Sequence, residues 1–245
     1  MDRALIFCTA HLQSDPTRYQ LWAKYYAEAF KDHNVDLLMV NDGPCDQADK
    51  PPEAELIVLE PHLGRHSMNV FPGWKRSFAH ALQVAADRGY RWIGHIESDL
   101  WLSLEGMKQY LPNLFDGGGF GSAWCRTYRF PETAVLVLND HHRNRILREK
   151  YSAQESWYED VLFEKTIWDL GPGRMFEGDR YEGRIERIWP DDPFVAAVHF
   201  SEVELVRTSL ATIFTPPPLL PGQLPTVDPH MFCVVLLTTW NRPEL

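Results

Sequence analysis

The segment HIESDLWL, residues 95 to 102, sets two carboxylates, Glu97 and Asp99, directly behind an apolar run. In an extended chain alternate residues share a face, so a strand ending in Glu-x-Asp directs both acids to the same side. Two converging carboxylates suit a hard divalent cation such as Mg²⁺ or Mn²⁺. The plainer alternative is that the pair caps a following helix or lies in water. The whole chain contains 34 acidic against 24 basic residues, a formal net charge of -10. Such a surface repels nucleic-acid backbones and anionic membranes, and neither is expected as a partner. An anionic ligand would need local positive charge or a metal.

The elements that must position these acids alternate along the chain. ALIFCTA (4–10) reads as a buried strand, and Asp15-Pro16 opens a helix in which Tyr19, Trp22, Tyr26, Ala29 and Phe30 recur on one face. VDLLMV (35–40), running into the turn NDGP, and ELIVL (55–59) are further buried strands. Helical spacing returns over Gly73 to Arg88, Gly89 closes that helix, and YRWIGHI begins another strand. Repeated strand and helix units predict an α/β fold with a mostly parallel sheet flanked by helices on both faces. Ligands of such sheets bind at the carboxyl ends of the strands, so one edge should collect Asp42, Glu97 and Asp99.

Farther on, FGSAWC (120–125) and ETAVLVL (132–138) read as strands, and 141–150 and 157–169 as helices. VAAVHF (195–200) is a last short apolar run before TPPPLLPGQLPTVDP (215–229), a stiff proline-rich stretch. These features predict a domain over 1–213, a linker over 214–231 and a separate segment over 232–245. The four cysteines are far apart and lack Cys-x-x-Cys spacing, which favours a reducing cytoplasm. No apolar run approaches the roughly 20 residues that span a bilayer, so no transmembrane segment is expected.

In order and spacing these segments resemble the GT-A family of nucleotide-sugar-dependent glycosyltransferases over most of residues 4 to 200. NDGPCD (41–46) is similar to the Asp-Asp-Gly-Ser-x-Asp turn of that family, which implies that Asp42 reads the nucleotide base. GWKRSFAHALQVAADRGYRWIGHIESD resembles the passage that ends in Asp-x-Asp, with Asp99 the principal metal ligand and Glu97, one methylene longer than the usual first Asp, contacting metal or ribose. SWYEDVLFEK (156–165) resembles the x-Glu-Asp helix start, which nominates Asp160 as base with Glu159 beside it. VHF (198–200) resembles the late strand whose histidine completes metal coordination, here His199. Thr9, Lys75 and Arg76 join Asp42 and Glu97 as candidate donor-binding residues, although Lys75 and Arg76 need no such role if they lie on a solvated helix face.

The resemblance implies a UDP- or GDP-sugar donor, a glycan or other hydroxyl acceptor, and Mn²⁺ or Mg²⁺ as cofactor. A non-catalytic nucleotide- or glycan-binding module is the rival expectation. MFCVVLLTTWNRPEL resembles the segment that opens many GT-A domains, so 232–245 could begin a second such domain. A tail strand that pairs back onto the rest of the chain is the alternative.

Overall fold

The computed structural model describes residues 2–66, 70–102, 120–125, 130–151, 174–177, 180–182, 197–199 and 234–236. The strands are β1 (Ala4–Ala10), β2 (Val35–Asp42), β3 (Glu55–Leu59), β4 (Trp92–Ile96), β5 (Leu100–Leu102), β6 (Phe120–Cys125), β7 (Phe130–Asn139), β8 (Arg174–Glu177), β9 (Arg180–Glu182), β10 (Ala197–His199) and β11 (Val234–Leu236). The α-helices are α1 (Pro16–Phe30), α2 (Pro72–Asp87) and α3 (Asp140–Ile146), the last continuing into a π-helical turn over Leu147–Tyr151.

Among the described residues, seven strands form one sheet in the order β3-β2-β1-β4-β7-β6-β8. The run β3-β2-β1-β4 is parallel, β7 is antiparallel to both its neighbours, and β6 pairs with β8 in parallel. This is the mostly parallel α/β sheet expected from the sequence.

Strand alternation sorts the first strand between two cores. Ala4, Ile6, Cys8 and Ala10 point to α1, where they pack with Tyr19, Trp22, Tyr26 and Phe30. Leu5 and Phe7 point to α2 and meet Phe78, Ala81, Leu82 and Ala85. Phe7 and Phe78 touch edge to face, with ring centroids 5.2 Å apart. Each large side chain buried in this way contributes about 1.5–3 kcal/mol, so the two helices are held mainly by apolar area.

The helix ends follow local chemistry. Asp15 caps α1 by accepting from the Arg18 backbone N–H at 3.1 Å, and Pro16 occupies the first turn, where its missing donor costs nothing. Pro72 plays the same part in α2, with no side-chain cap. At the far end of α2 the buried Arg143 of α3 donates to the carbonyls of Ala85, at 3.3 Å, and Tyr90, and so ties α3 to the turn that follows α2.

Three features differ from the sequence expectation. β2 continues through Asn41 and Asp42, so the turn begins at Gly43, where φ is +108°. DLWL, read only as the tail of the acid motif, supplies β5, so the element after Glu97 and Asp99 is a strand and not a helix they could cap. β5 belongs to a second, four-stranded sheet, β11-β5-β10-β9. There β11 pairs antiparallel with β5, matching Val234 with Leu102 and Leu236 with Leu100. The proline-rich stretch at 215–229 and the helix expected at 157–169 lie outside the described residues. No helix among the described residues is long and apolar enough to cross a membrane.

Candidate functional site at the carboxyl edge of the sheet

Parallel pairing of β2, β1 and β4 brings the ends of these strands to one edge. Asp42 ends β2, Ala10 ends β1, and Glu97 follows β4. Asp42 and Glu97 stand two strand spacings apart, roughly 10 Å at about 4.8 Å per strand. Thr9 lies on the strand between them, paired in register with Val40 and half-buried. The expected gathering of Asp42, Glu97 and Asp99 at one edge is therefore present.

Asp42 is buried, with 5% of its surface exposed. Its carboxylate accepts from the backbone N–H of Leu63 at 3.2 Å and of Gly64 at 2.7 Å, and from Arg76 Nη2. Arg76 also donates to the carbonyls of Leu59 at 2.8 Å and Pro61 at 2.6 Å. This guanidinium thus ties the loop after β3 to the end of β2. Gly73, in the first turn of α2, permits the approach: a Cβ there would stand 2.0 Å from Asp42 Oδ2. Lys75, beside Arg76, is buried with 2% exposure. Neither basic residue lies on a solvated helix face.

Two histidines stand over this loop. The rings of His11, just past β1, and His62, past β3, stack with centroids 4.3 Å apart and planes 17° apart. His62 Nδ1 lies 2.7 Å from the Asp42 carbonyl oxygen and 3.0 Å from Oδ2. Both oxygens can only accept, so Nδ1 carries the proton. Burial, and then the neighbouring His62, lower the pKa of His11, against a smaller opposing pull from Asp42. Asn41 joins the neighbouring loops: its Oδ1 accepts from Leu12 N–H at 2.7 Å and its Nδ2 donates to the Gly43 carbonyl at 2.7 Å.

At the end of β4 the Glu97 backbone N–H donates to the Ala134 carbonyl at 2.9 Å, and a turn closes from Leu100 N–H to the Glu97 carbonyl at 3.0 Å. Glu97 and Asp99 are half-buried and flank the buried Ser98. One turn of chain earlier, His95 is buried among Phe7, Trp74 and Phe78. Its Nδ1 donates to the Thr133 carbonyl at 2.7 Å, and Nε2 meets no hydrogen-bond partner among the described residues. Burial lowers its pKa to about 4, despite the opposing Thr133 bond, so the ring is neutral at pH 7.

β10 brings His199 to this place. It pairs antiparallel with β5, with His199 opposite Leu100, so its backbone lies beside that of the residue following Asp99. Among the described residues no three His, Cys, Asp or Glu side chains stand close enough to hold a metal ion. By residue type, Glu97, Asp99 and His199 are donors that suit a divalent cation such as Mn²⁺ or Mg²⁺. Glu159 and Asp160 lie outside the described residues.

Sequence reasoning did not assign Arg18, His11 or His62 to this edge, and read Tyr19 only as part of a helix face. The signals were a histidine one residue past a strand end and an arginine in the first turn of the next helix, which in a parallel sheet starts at the carboxyl edge. At the opposite, amino edge a polar cleft of about 480 Å³ opens beside Arg3, Asp36, Glu55, Arg88 and Tyr90. Two of its cations are matched within the protein, Arg3 to Asp36 at 2.8 Å and Arg88 to Glu55 at 2.5 and 2.7 Å.

No protein-family model matches the chain, and no curated protein is similar to it in sequence. Solved structures show distant likeness. A glycosyltransferase involved in glycosylation of the major capsid of PBCV-1 is 10% identical, with 96% of this chain and 92% of that one covered and a TM-score of 0.46. A protein described as a nucleotide-diphospho-sugar transferase from Desulfovibrio desulfuricans G20 is 12% identical over 87% of this chain and 97% of that one, with a TM-score of 0.47. The galactosyltransferase LgtC, in complex with donor and acceptor sugar analogs, is 11% identical over 73% of this chain and 75% of that one, with a TM-score of 0.45. Likeness this remote identifies neither a donor nor an acceptor for this chain.

Proposed function

We propose that the carboxyl edge of the sheet is the donor site of a glycosyltransferase that moves a sugar from a nucleotide diphosphate to a hydroxyl of a glycan or other acceptor. The observation that supports this most is the register of β5 with β10. Asp99 and His199, nominated by separate motifs 100 residues apart, are carried by backbone segments that lie side by side, because His199 pairs with Leu100.

In this reading Glu97, Asp99 and His199 would hold a divalent cation, whose positive charge would stabilise the diphosphate as it leaves the sugar. Asp42, through the loop it fixes, positions the base. Thr9 lines the edge between Asp42 and Glu97. Asp160, with Glu159 beside it, is the proposed base: within hydrogen-bond reach of the acceptor hydroxyl it takes that proton as the oxygen attacks the anomeric carbon, giving inversion, and without that reach retention is the outcome. A reducing cytoplasm is the proposed compartment.

The test is calorimetric titration of UDP and GDP, with and without Mn²⁺, into the wild type and Asp99→Ala. Binding that needs Mn²⁺ and is lost in the variant is expected. Failure of the folded wild type to bind either nucleotide under any metal condition would overturn the reading. Tight binding with no donor turnover in the presence of acceptors would leave the non-catalytic module in its place.

A further inference from the structure

A strongly acidic chain that takes a nucleotide diphosphate needs a local cation. Of the two basic residues nominated for that task, Arg76 is engaged with Asp42 and two carbonyls, and Lys75 is buried in the first turn of α2. A third cation stands at the same edge.

Arg18 lies in the first turn of α1, which follows β1 and therefore starts at the carboxyl edge. Its guanidinium carbon sits 4.9 Å from the centre of the Tyr19 ring, and Nη2 donates to the Tyr19 hydroxyl at 2.9 Å. That hydroxyl also accepts from the His11 backbone N–H at 3.0 Å, which anchors the assembly to the end of β1. Trp22 and Tyr26, one and two turns along, share the helix face of Arg18. The Tyr26 hydroxyl donates to the Leu100 carbonyl at 2.7 Å, so this face runs across the β4–β5 turn with Arg18 at its outer end. Arg18 Nε is buried and has no hydrogen-bond partner among the described residues. Burial works against its charge, but Tyr19, Asp99 and Asp15 outweigh it and the pKa is raised.

We infer that Arg18 binds the diphosphate of the nucleotide-sugar donor, an inference that rests on the donor-site reading above. A guanidinium is always charged, weakly hydrated and shaped to give paired hydrogen bonds to phosphate oxygens. Held against Tyr19, this one loses little further freedom on binding, and a buried donor without a partner gains one.

The experiment measures UDP and GDP affinity by calorimetry with Mn²⁺, and uridine and guanosine binding by ligand-observed NMR, for wild type, Arg18→Gln and Arg18→Lys. A tenfold or larger loss of diphosphate affinity is expected in Arg18→Gln, with nucleoside binding and the urea midpoint unchanged and partial recovery in Arg18→Lys. Unchanged diphosphate affinity in Arg18→Gln, or equal losses for nucleoside and diphosphate, would overturn the inference while leaving the donor site standing. A wild type that binds neither UDP nor GDP would overturn both.

Discussion

Arg76 holds the carboxylate of Asp42 and, with the same guanidinium nitrogen, the carbonyls of Leu59 and Pro61. The side chains of this pair are 17% and 7% exposed, so water screens it poorly. Losing one partner of a buried pair is costly because the other keeps its charge without compensation. Arg76→Ala should therefore lower stability by about 2–4 kcal/mol, somewhat eased by the two backbone N–H groups that remain on Asp42. Glu55→Gln breaks an ion pair whose side chains are 42% and 44% exposed and should cost less than about 1 kcal/mol. Urea denaturation of both variants checks the contrast, and equal losses would refute it.

Gly73→Ala should damage the same loop by volume. Its Cβ would meet Asp42 Oδ2 at 2.0 Å and the Gly64 nitrogen at 2.9 Å, so the carboxylate must leave its place. The cost should reach or pass the upper end of the usual overpacking range of about 1–3 kcal/mol. Gly89→Ala meets nothing within 4 Å and suffers only from its φ of +69°, worth about 1–2 kcal/mol. Thermal unfolding of the two variants should rank them in that order.

His95 should make the fold acid-sensitive. Its pKa is about 4 in the folded chain against an ordinary 6.5, so between these values the unfolded chain binds more protons. Stability from this residue is complete above about pH 6.5 and is lost as pH falls toward 4, by up to roughly 3 kcal/mol. His95→Leu should lower stability at pH 7, because the Thr133 carbonyl loses its donor, yet flatten the decline between pH 6.5 and 4. Denaturation midpoints at pH 7 and pH 4.5 measure it; an equally steep decline in the variant would assign the acid loss elsewhere.

The cysteines should differ in reactivity. Cys8 is wholly buried, and burial pushes its thiol far above the ordinary value, while Cys45 is partly exposed with a smaller rise. Alkylation of the native protein followed by peptide mass mapping should find Cys45 modified well before Cys8, with Cys8 reacting only in denaturant. Equal rates would show that the α1 face of β1 opens readily.

Much of this architecture follows from patterns that are local in the chain. ALIFCTA and ELIVL form strands over the residues expected, and α1 begins at Asp15-Pro16, because apolar periodicity and helix-start chemistry act over a few residues. Strand-end geometry in a parallel sheet then requires Asp42, Glu97 and Asp99 to share an edge. What each residue does there is not local. Arg76 looks like any helix cation until folding sets it against Asp42, 34 positions away. DLWL carries too short a pattern to declare itself a strand and becomes β5 only by pairing with β10 and β11. Arg18 is one more charge on an amphipathic helix until folding sets it against Tyr19, whose hydroxyl is bound to the chain just past β1. The sequence by itself determined the longer elements of the first sheet and the edge at which they end, since both arise from short-range periodicity and the direction of the chain. Only the tertiary structure decided which charges meet, because Coulomb attraction and hydrogen bonding depend on distance in space, and here that distance is set by packing between distant segments.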